Sequence, residues 1–177
     1  MIAICTPAPD IVKTRFAHDL TQVIARGGCE WIPSEGTVIP NQRTLLVREA
    51  LQRNATHVLF LDSDMRFPAD IISRMRAHCK PIVAANCIDK RSGNETVVRK
   101  GDEVISVGCA VMMIEKSVFQ KLDEPWFAMP WDPMQKHLVG EDRYFCHRAL
   151  QAGYQIFIDD RLSKLIKHIG AKEFGFD

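Results

Sequence analysis

His57-Val58-Leu59-Phe60-Leu61-Asp62-Ser63-Asp64-Met65 is the stretch on which the fold turns. After His57 the run is continuously apolar, and polar residues follow it at once. That is the pattern of a central parallel strand covered on both faces. In open α/β sheets ligands sit beyond the carboxyl ends of strands, so the residues after Leu61 are the first place to look for chemistry. Asp62 and Asp64 there are either a pair of hard oxygen donors for magnesium or manganese or turn residues bonding their own backbone.

The same alternation extends outward in both directions. Upstream, an apolar start at Met1-Ile2-Ala3-Ile4-Cys5 reads as a first strand ending before Thr6-Pro7. Ile11, Val12, Phe16, Leu20, Val23 and Ile24 then recur at helical spacing, with Asp10 placed to cap and Gly27-Gly28 to stop the run. An extended piece at 29–33 leads to a helix over 42–54. Downstream, Pro68 sits where a first-turn proline is tolerated and Ile71, Ile72 and Met75 give a third helix its stripe. A strand at 81–85, a polar loop or hairpin at 89–100, extended structure at 104–114 and a short helix at 116–122 follow. Pro125, Pro130 and Pro133 keep 123–139 out of helix and central strand, leaving a long loop that is either a lid or a packed surface segment anchored by Trp126 and Trp131. Gly140 opens a helix over 141–152 that Gly153 stops, and 154–158 and 162–168 read as short strands. Strand and helix in turn imply a mostly parallel α/β sheet.

Composition agrees. The chain has 177 residues, 46% hydrophobic and 25% charged, which fits one domain and excludes disorder, collagen and coiled coil. A net charge of +1 gives no strong field toward nucleic acid or anionic membrane, although a local basic patch stays open. The apolar stretches fall far short of the ~20 residues that span a bilayer. The N-terminus lacks the basic start and longer apolar core of a secretory signal, so a cytoplasmic location is expected. Six cysteines without a C-x-x-C pair read as buried reduced thiols rather than a disulfide framework or zinc knuckle.

Three companions join the aspartates. Asp142, with Glu141 to one side, stands at the first turn of a helix whose apolar residues are Phe145, Cys146, Ala149 and Leu150, and counting back places Asp142 on their face. A carboxylate there is held ionised by the helix dipole, which suits a general base and equally a helix-end acid with no other task. His168 closes the run Leu165-Ile166-Lys167-His168, either as a structural ring or as a ligand for manganese. Lys90, Arg91, Arg99 and Lys100 surround the polar insert as a solvated hairpin or as a surface for an anionic acceptor.

Leu59-Phe60-Leu61-Asp62-Ser63-Asp64, Gly140-Glu141-Asp142 with Phe145-Cys146, Gly153-Tyr154 and the late His168 together resemble the small nucleotide-sugar glycosyltransferases of the A-type fold, close to family 2. Asn41-Gln42-Arg43-Thr44-Leu45 is similar to their arginine-containing helix start, with Thr44 where asparagine is more usual, and Val107-Gly108-Cys109-Ala110-Val111 to their glycine-led strand. The resemblance implies a single three-layer α/β/α domain over 1–177, with a nucleotide-binding half at 1–90 and an acceptor-side half at 101–177. It implies transfer of a sugar from a nucleotide-diphosphate donor, expected to be a UDP-sugar, to an acceptor hydroxyl, with inversion expected and retention, in which Asp142 would orient the acceptor instead, left open. By the same resemblance Asp64, Asp62 and His168 hold Mn2+ or Mg2+, and Thr6, Pro7, Arg43, Asp62, Ser63 and Lys90 border the donor. Asp142 is then the base with Glu141 beside it, and Trp126 and Trp131 line an acceptor lid. The acceptor is left open among glycan, lipid-linked sugar, protein and modified nucleic acid.

Two other readings compete. A haloacid-dehalogenase-like phosphatase also has D-x-D after a strand, with Asp62 as nucleophile, but there the motif follows the first strand rather than the third. A non-catalytic nucleotide-sugar binding module would keep the ligands and lose the chemistry.

Overall fold

The computed structural model describes residues 1–90 and 92–170, and the backbone of Glu173–Phe174; Arg91 of the polar insert lies outside the described residues. In chain order the elements begin β1 (Ile2–Ala8), α1 (Thr14–Ile24), β2 (Cys29–Glu35), α2 (Ile39–Gln52), β3 (His57–Leu61), β4 (Met65–Arg66), α3 (Ile71–Ala77) and β5 (Ile82–Ala84). They continue with β6 (Val98–Lys100), β7 (Glu103–Ser106), β8 (Val111–Glu115), α4 (Lys116–Lys121), β9 (Trp131–Asp132), β10 (His137–Leu138) and α5 (Glu141–Gln151). The last are β11 (Phe157–Ile158), α6 (Asp160–Ser163), β12 (Lys167–Ile169) and β13 (Glu173–Phe174).

Six strands form the central sheet in the order β11-β5-β8-β3-β1-β2. The β1–β2, β1–β3 and β5–β11 pairs are parallel, and β8 runs antiparallel to both β3 and β5. Period-two alternation feeds a core on each face. Ala3, Cys5 and Phe60 pack with Leu46 and Val47 of α2, Phe119 of α4 and Phe145 of α5. Ile2, Ile4 and Leu59 pack on the other side with Phe16 and Leu20 of α1, Ile71 of α3 and Leu162 of α6. The result is the expected three-layer α/β/α domain, with the strand at 57–61 in the interior as its apolar run requires. Each fully buried large side chain of this kind adds about 1.5–3 kcal/mol.

Several boundaries differ from the expectation. β1 reaches Ala8, so Thr6 and Pro7 lie inside it, paired with Pro33 and Ser34. The reason is in the ladder. Ile2 N–H bonds Gly28 O on the β2 side at 3.1 Å, so the period of two turns Pro7 nitrogen toward β3, whose pairing with β1 ends at Cys5. A missing N–H there costs no bond. Helix α1 starts at Thr14 rather than Ile11, which is exposed, because Lys13 N–H is tied to Ser63 O. The stretch 104–114 splits into β7 and β8, with Gly108 between them packed so closely on Thr96 that a Cβ would lie 3.3 Å from it. The stretch 162–168 is not one strand: Asp159 accepts from Leu162 N–H and caps α6, leaving only Lys167–Ile169 extended.

The long loop holds no helix and no central strand, as its prolines dictate, but β9 and β10 form a small separate hairpin at its far end. Arg99 and Lys100 stand exposed on β6 of the β6–β7 hairpin, a position open to either reading of the insert. Cys5, Cys87, Cys109 and Cys146 are buried, and loss of hydration pushes the Cys87 and Cys146 thiols up to about 12. Among the described residues no helix is long and apolar enough to cross a membrane.

Candidate active site

The tip of β3 is a tight turn. Asp62 N–H bonds Ala110 O at 3.0 Å, Met65 N–H returns to Asp62 O at 3.1 Å, and β4 leaves to pair with β12. Met65 faces His168 in that pairing, and Ile169 N–H reaches Asp64 O at 2.7 Å, which sets the imidazole beside the Asp64 carboxylate. His168 Nε2 lies 3.2 Å from Asp64 Oδ1. Its Nδ1 lies 3.2 Å from the Ile88 carbonyl, which only accepts, so Nδ1 carries a proton. Lys90 Nζ is ion-paired to Asp64 Oδ2. Burial alone would raise the Asp64 carboxyl, yet His168 and Lys90 together hold it down at about 2. Burial pulls the His168 ring down, and Asp64 more than offsets that, so its pKa ends above the ordinary value.

Asp62 turns the other way. Both its oxygens face Nη2 of Arg43, at 3.1 and 3.2 Å, and Arg43 Nε reaches Glu141 Oε1 at 3.4 Å. One guanidinium thus joins the tip of β3 to the first turn of α5. It is 3% exposed, lies 5.0 Å from the centre of the Phe60 ring, and leaves Nη1 without a partner among the described residues. Taking that cation out of water is costly. The carboxylates compensate, and despite burial they hold the guanidinium pKa above its ordinary value. Burial pushes the Asp62 carboxyl up while Arg43 pulls it down, with the net shift upward.

The neighbouring Gln42 was not foreseen. Its Oε1 accepts from Ala8 N–H at 3.1 Å and from Ser34 Oγ at 3.0 Å, stitching the ends of β1 and β2 together, while its buried Nε2 has no partner among the described residues. Only its place inside the Asn41-Gln42-Arg43 motif could have flagged it. Trp31 was missed as well; its indole N–H donates to Thr6 Oγ1 at 3.0 Å.

At α5 the two acids part company. Glu141, expected to one side, is the one bonded to Arg43. Asp142 Oδ1 accepts its own helix's Arg143 N–H at 2.6 Å, and a Cβ on Gly140 would come within 2.9 Å of that oxygen. Gly140 has an ordinary extended backbone, so a Cβ there would meet no backbone strain and would displace only the end of the Asp142 side chain. Burial and the adjacent Glu141 raise the Asp142 carboxyl.

Other expectations are corrected. Trp126 is 6% exposed and its indole N–H is shared between Phe119 O and Leu122 O, so it anchors the loop and has no face left for a substrate. Trp131, 60% exposed on β9, keeps the surface such a role needs. Thr6 and Pro7 are buried beneath the β1 edge, where Pro9 and Asp10 are the exposed residues, and Arg43 is spent on carboxylates rather than open to a diphosphate. Asp62 is clamped by Arg43, a poor setting for a phosphatase nucleophile. Among the described residues no three His, Cys, Asp or Glu converge as a metal set: Asp64 and His168 meet, and Asp62 is turned to Arg43. Ser63, half-buried, lies between the two aspartates. The cavity of about 790 Å³ is elsewhere, at the start of β5 and β11 between Lys80, Glu103 and Tyr154.

No protein of curated function matches the sequence. A family model, Anp1, matches residues 26–104, which include Arg43, Asp62, Asp64 and Lys90. Among solved structures, A197 from STIV is similar with a TM-score of 0.69 at 16% identity, over 96% of this chain and 85% of that one. A glycosyltransferase involved in glycosylation of the major capsid of PBCV-1 is similar with a TM-score of 0.54 at 11% identity, over 90% and 81%. The chain has the A-type glycosyltransferase fold. TarS 1-349 of S. aureus shares the A-type fold with a TM-score of 0.54 at 12% identity, covering 89% of this chain and 57% of its own. In the A-type sheet seen here, Asp62, Asp64, Glu141 and His168 all gather at the carboxyl end of β3.

Proposed function

We propose that this chain is a metal-dependent glycosyltransferase that moves a sugar from a nucleotide-diphosphate donor, a UDP-sugar, to an acceptor hydroxyl with inversion. The observation that carries the reading is the convergence at one sheet edge: Arg43 bridges Asp62 to Glu141, and His168 meets Asp64. The A-type fold and the glycosyltransferases similar to it support the same reading.

The donor set suits a divalent cation. His168 keeps one proton on Nδ1 against the Ile88 carbonyl, so Nε2, 3.2 Å from Asp64 Oδ1, is the nitrogen that would give up its proton to ligate a cation beside that carboxylate. Asp64 and His168 would therefore hold Mn2+ or Mg2+, whose chemistry is to stabilise negative charge growing on the departing diphosphate. Lys90 adds a cation at the same place. Arg43 keeps Asp62 and Glu141 in position without touching substrate. Asp142, its basicity increased by burial and by Glu141, takes the proton of the attacking hydroxyl, help worth ~10² to 10⁴ in rate. Trp131 on the exposed hairpin covers the acceptor.

Thermal melts with UDP test this. UDP should stabilise the protein only with Mn2+ or Mg2+ present, and Asp64→Ala should abolish the effect. Asp142→Asn should leave that stabilisation intact while transfer collapses. Stabilisation unchanged in Asp64→Ala would overturn the metal role, and unchanged transfer in Asp142→Asn would overturn the base.

A further inference from the structure

Both oxygens of Asp64 are engaged, Oδ1 by His168 and Oδ2 by Lys90. The two partners are linked through the chain. Ile88, in the segment after β5, gives its carbonyl to His168 Nδ1, and two residues later Lys90 reaches the carboxylate. One short stretch therefore fixes the ring from behind and delivers a cation to the oxygen beside it. The lysine side chain is 36% exposed, on a flexible four-carbon stem that lets a point charge swing without moving the backbone. A divalent ion held by Asp64 and His168 needs the carboxylate charge that the ammonium now neutralises, and two cations on one carboxylate repel each other.

Resting on the reading of this site as a metal and nucleoside-diphosphate site, we propose that Lys90 and the divalent cation exchange on Asp64: the metal expels the ammonium, and the freed Lys90 pairs with the donor's diphosphate. Without metal, Lys90 covers the carboxylate, and the crevice presents one cation fewer to an anionic ligand. With metal, both positive groups face the diphosphate. Metal and nucleotide binding are then coupled through one side chain, and each strengthens the other as linkage requires.

The exchange predicts effects of opposite sign on the two ligands when Lys90 is removed, which a merely structural lysine does not produce. Mn2+ binding without nucleotide is followed by the paramagnetic signal of the free ion, for wild type, Lys90→Met and Lys90→Gln, with Asp64→Asn as the non-binding control. UDP affinity is then measured by calorimetry at saturating Mn2+. Mn2+ should bind both Lys90 variants about threefold to thirtyfold more tightly than wild type, and UDP should bind them about tenfold more weakly. Mn2+ affinity equal to or lower than wild type in both variants overturns the exchange, as does unaltered UDP affinity. Wild type that binds UDP but neither it nor the variants Mn2+ overturns exchange and metal requirement while leaving nucleotide binding standing. Mn2+ behaviour as expected with no UDP binding in any form overturns the nucleotide reading and the second half of the exchange.

Discussion

Gly140 and Glu141 show how much of the candidate chemistry rests on single atoms. A methyl group on residue 140 would stand 2.9 Å from Asp142 Oδ1, so Gly140→Ala forces that carboxylate out of its place while the helix-capping cost stays near or below about 1 kcal/mol. Circular dichroism melts should hardly distinguish the variant from wild type, and the transfer rate should drop at least about tenfold; an unchanged rate would mean the Asp142 carboxylate has no required position. Glu141 acts on the same acid through its charge. Because burial and Glu141 raise the Asp142 carboxyl, the acidic limb of the rate profile should lie above the ordinary aspartate value of about 3.9, activity falling as pH drops through it. Glu141→Gln removes the like charge and should move that limb to lower pH. A shift to higher pH, or none, would contradict the assignment. The angular difference between the two acids is legible in the sequence, where Phe145 and Cys146 put Asp142 on the apolar face and leave Glu141 to one side, but the close approach of residue 140 to Asp142 and the bond from Arg43 to Glu141 are not, because both depend on where folded side chains end.

The loop between α4 and α5 divides into an anchored part and a free part. Trp126 and Phe127 are buried, with Phe127 stacked on Phe145 at 5.0 Å and set edge-on to Phe60. Beyond them the β9–β10 hairpin closes on itself through Val139 N–H to Pro130 O and Asp132 Oδ1 to the Met134 and Gln135 amides, and it displays Trp131, Met134 and Leu138 to solvent. Trp126→Ala should cost about 3–5 kcal/mol by cavity formation and two orphaned carbonyls, read as a large fall in Tm. Trp131→Ala should leave Tm within about a degree and raise KM for the acceptor; equal kinetics would end its lid role. The prolines made the absence of helix readable in advance, because a missing N–H is a local property. Which tryptophan is buried was not, because that depends on Phe119 and Leu122 presenting carbonyls from a different element. For the same reason β3, β5 and the helix faces were legible from periodicity, whereas the Thr6 and Pro7 boundary depended on where β3 leaves β1.

Across the whole molecule, the shifted carboxylates divide by sign, most of them lowered and only Asp62 and Asp142 raised among the described residues. Asp64, Asp70, Asp132 and Asp159 have depressed pKa values; burial works against the shift at each, and ion pairs or hydrogen bonds supply it. Their contribution is present above the unfolded value of about 3.9 and is lost as pH falls through the folded one, so together they favour the folded state at neutral pH. Asp142 does the reverse. Its folded pKa is raised, so the unfolded chain gives up this proton more readily, and stability declines as pH climbs from the unfolded value through the folded one, with the full deficit present above both. A residue that only capped a helix would carry no such penalty, whereas a buried base must, which is the usual exchange of stability for function. Asp142→Asn keeps an oxygen to accept Arg143 N–H and removes the charge, so it should raise Tm at pH 7 to 8. The gain should shrink on acidification and vanish below about pH 4, where both forms are neutral. A variant less stable than wild type at neutral pH, or a gain independent of pH, would show that Asp142 is held ionised for the sake of the fold and would remove the thermodynamic argument for its role as base.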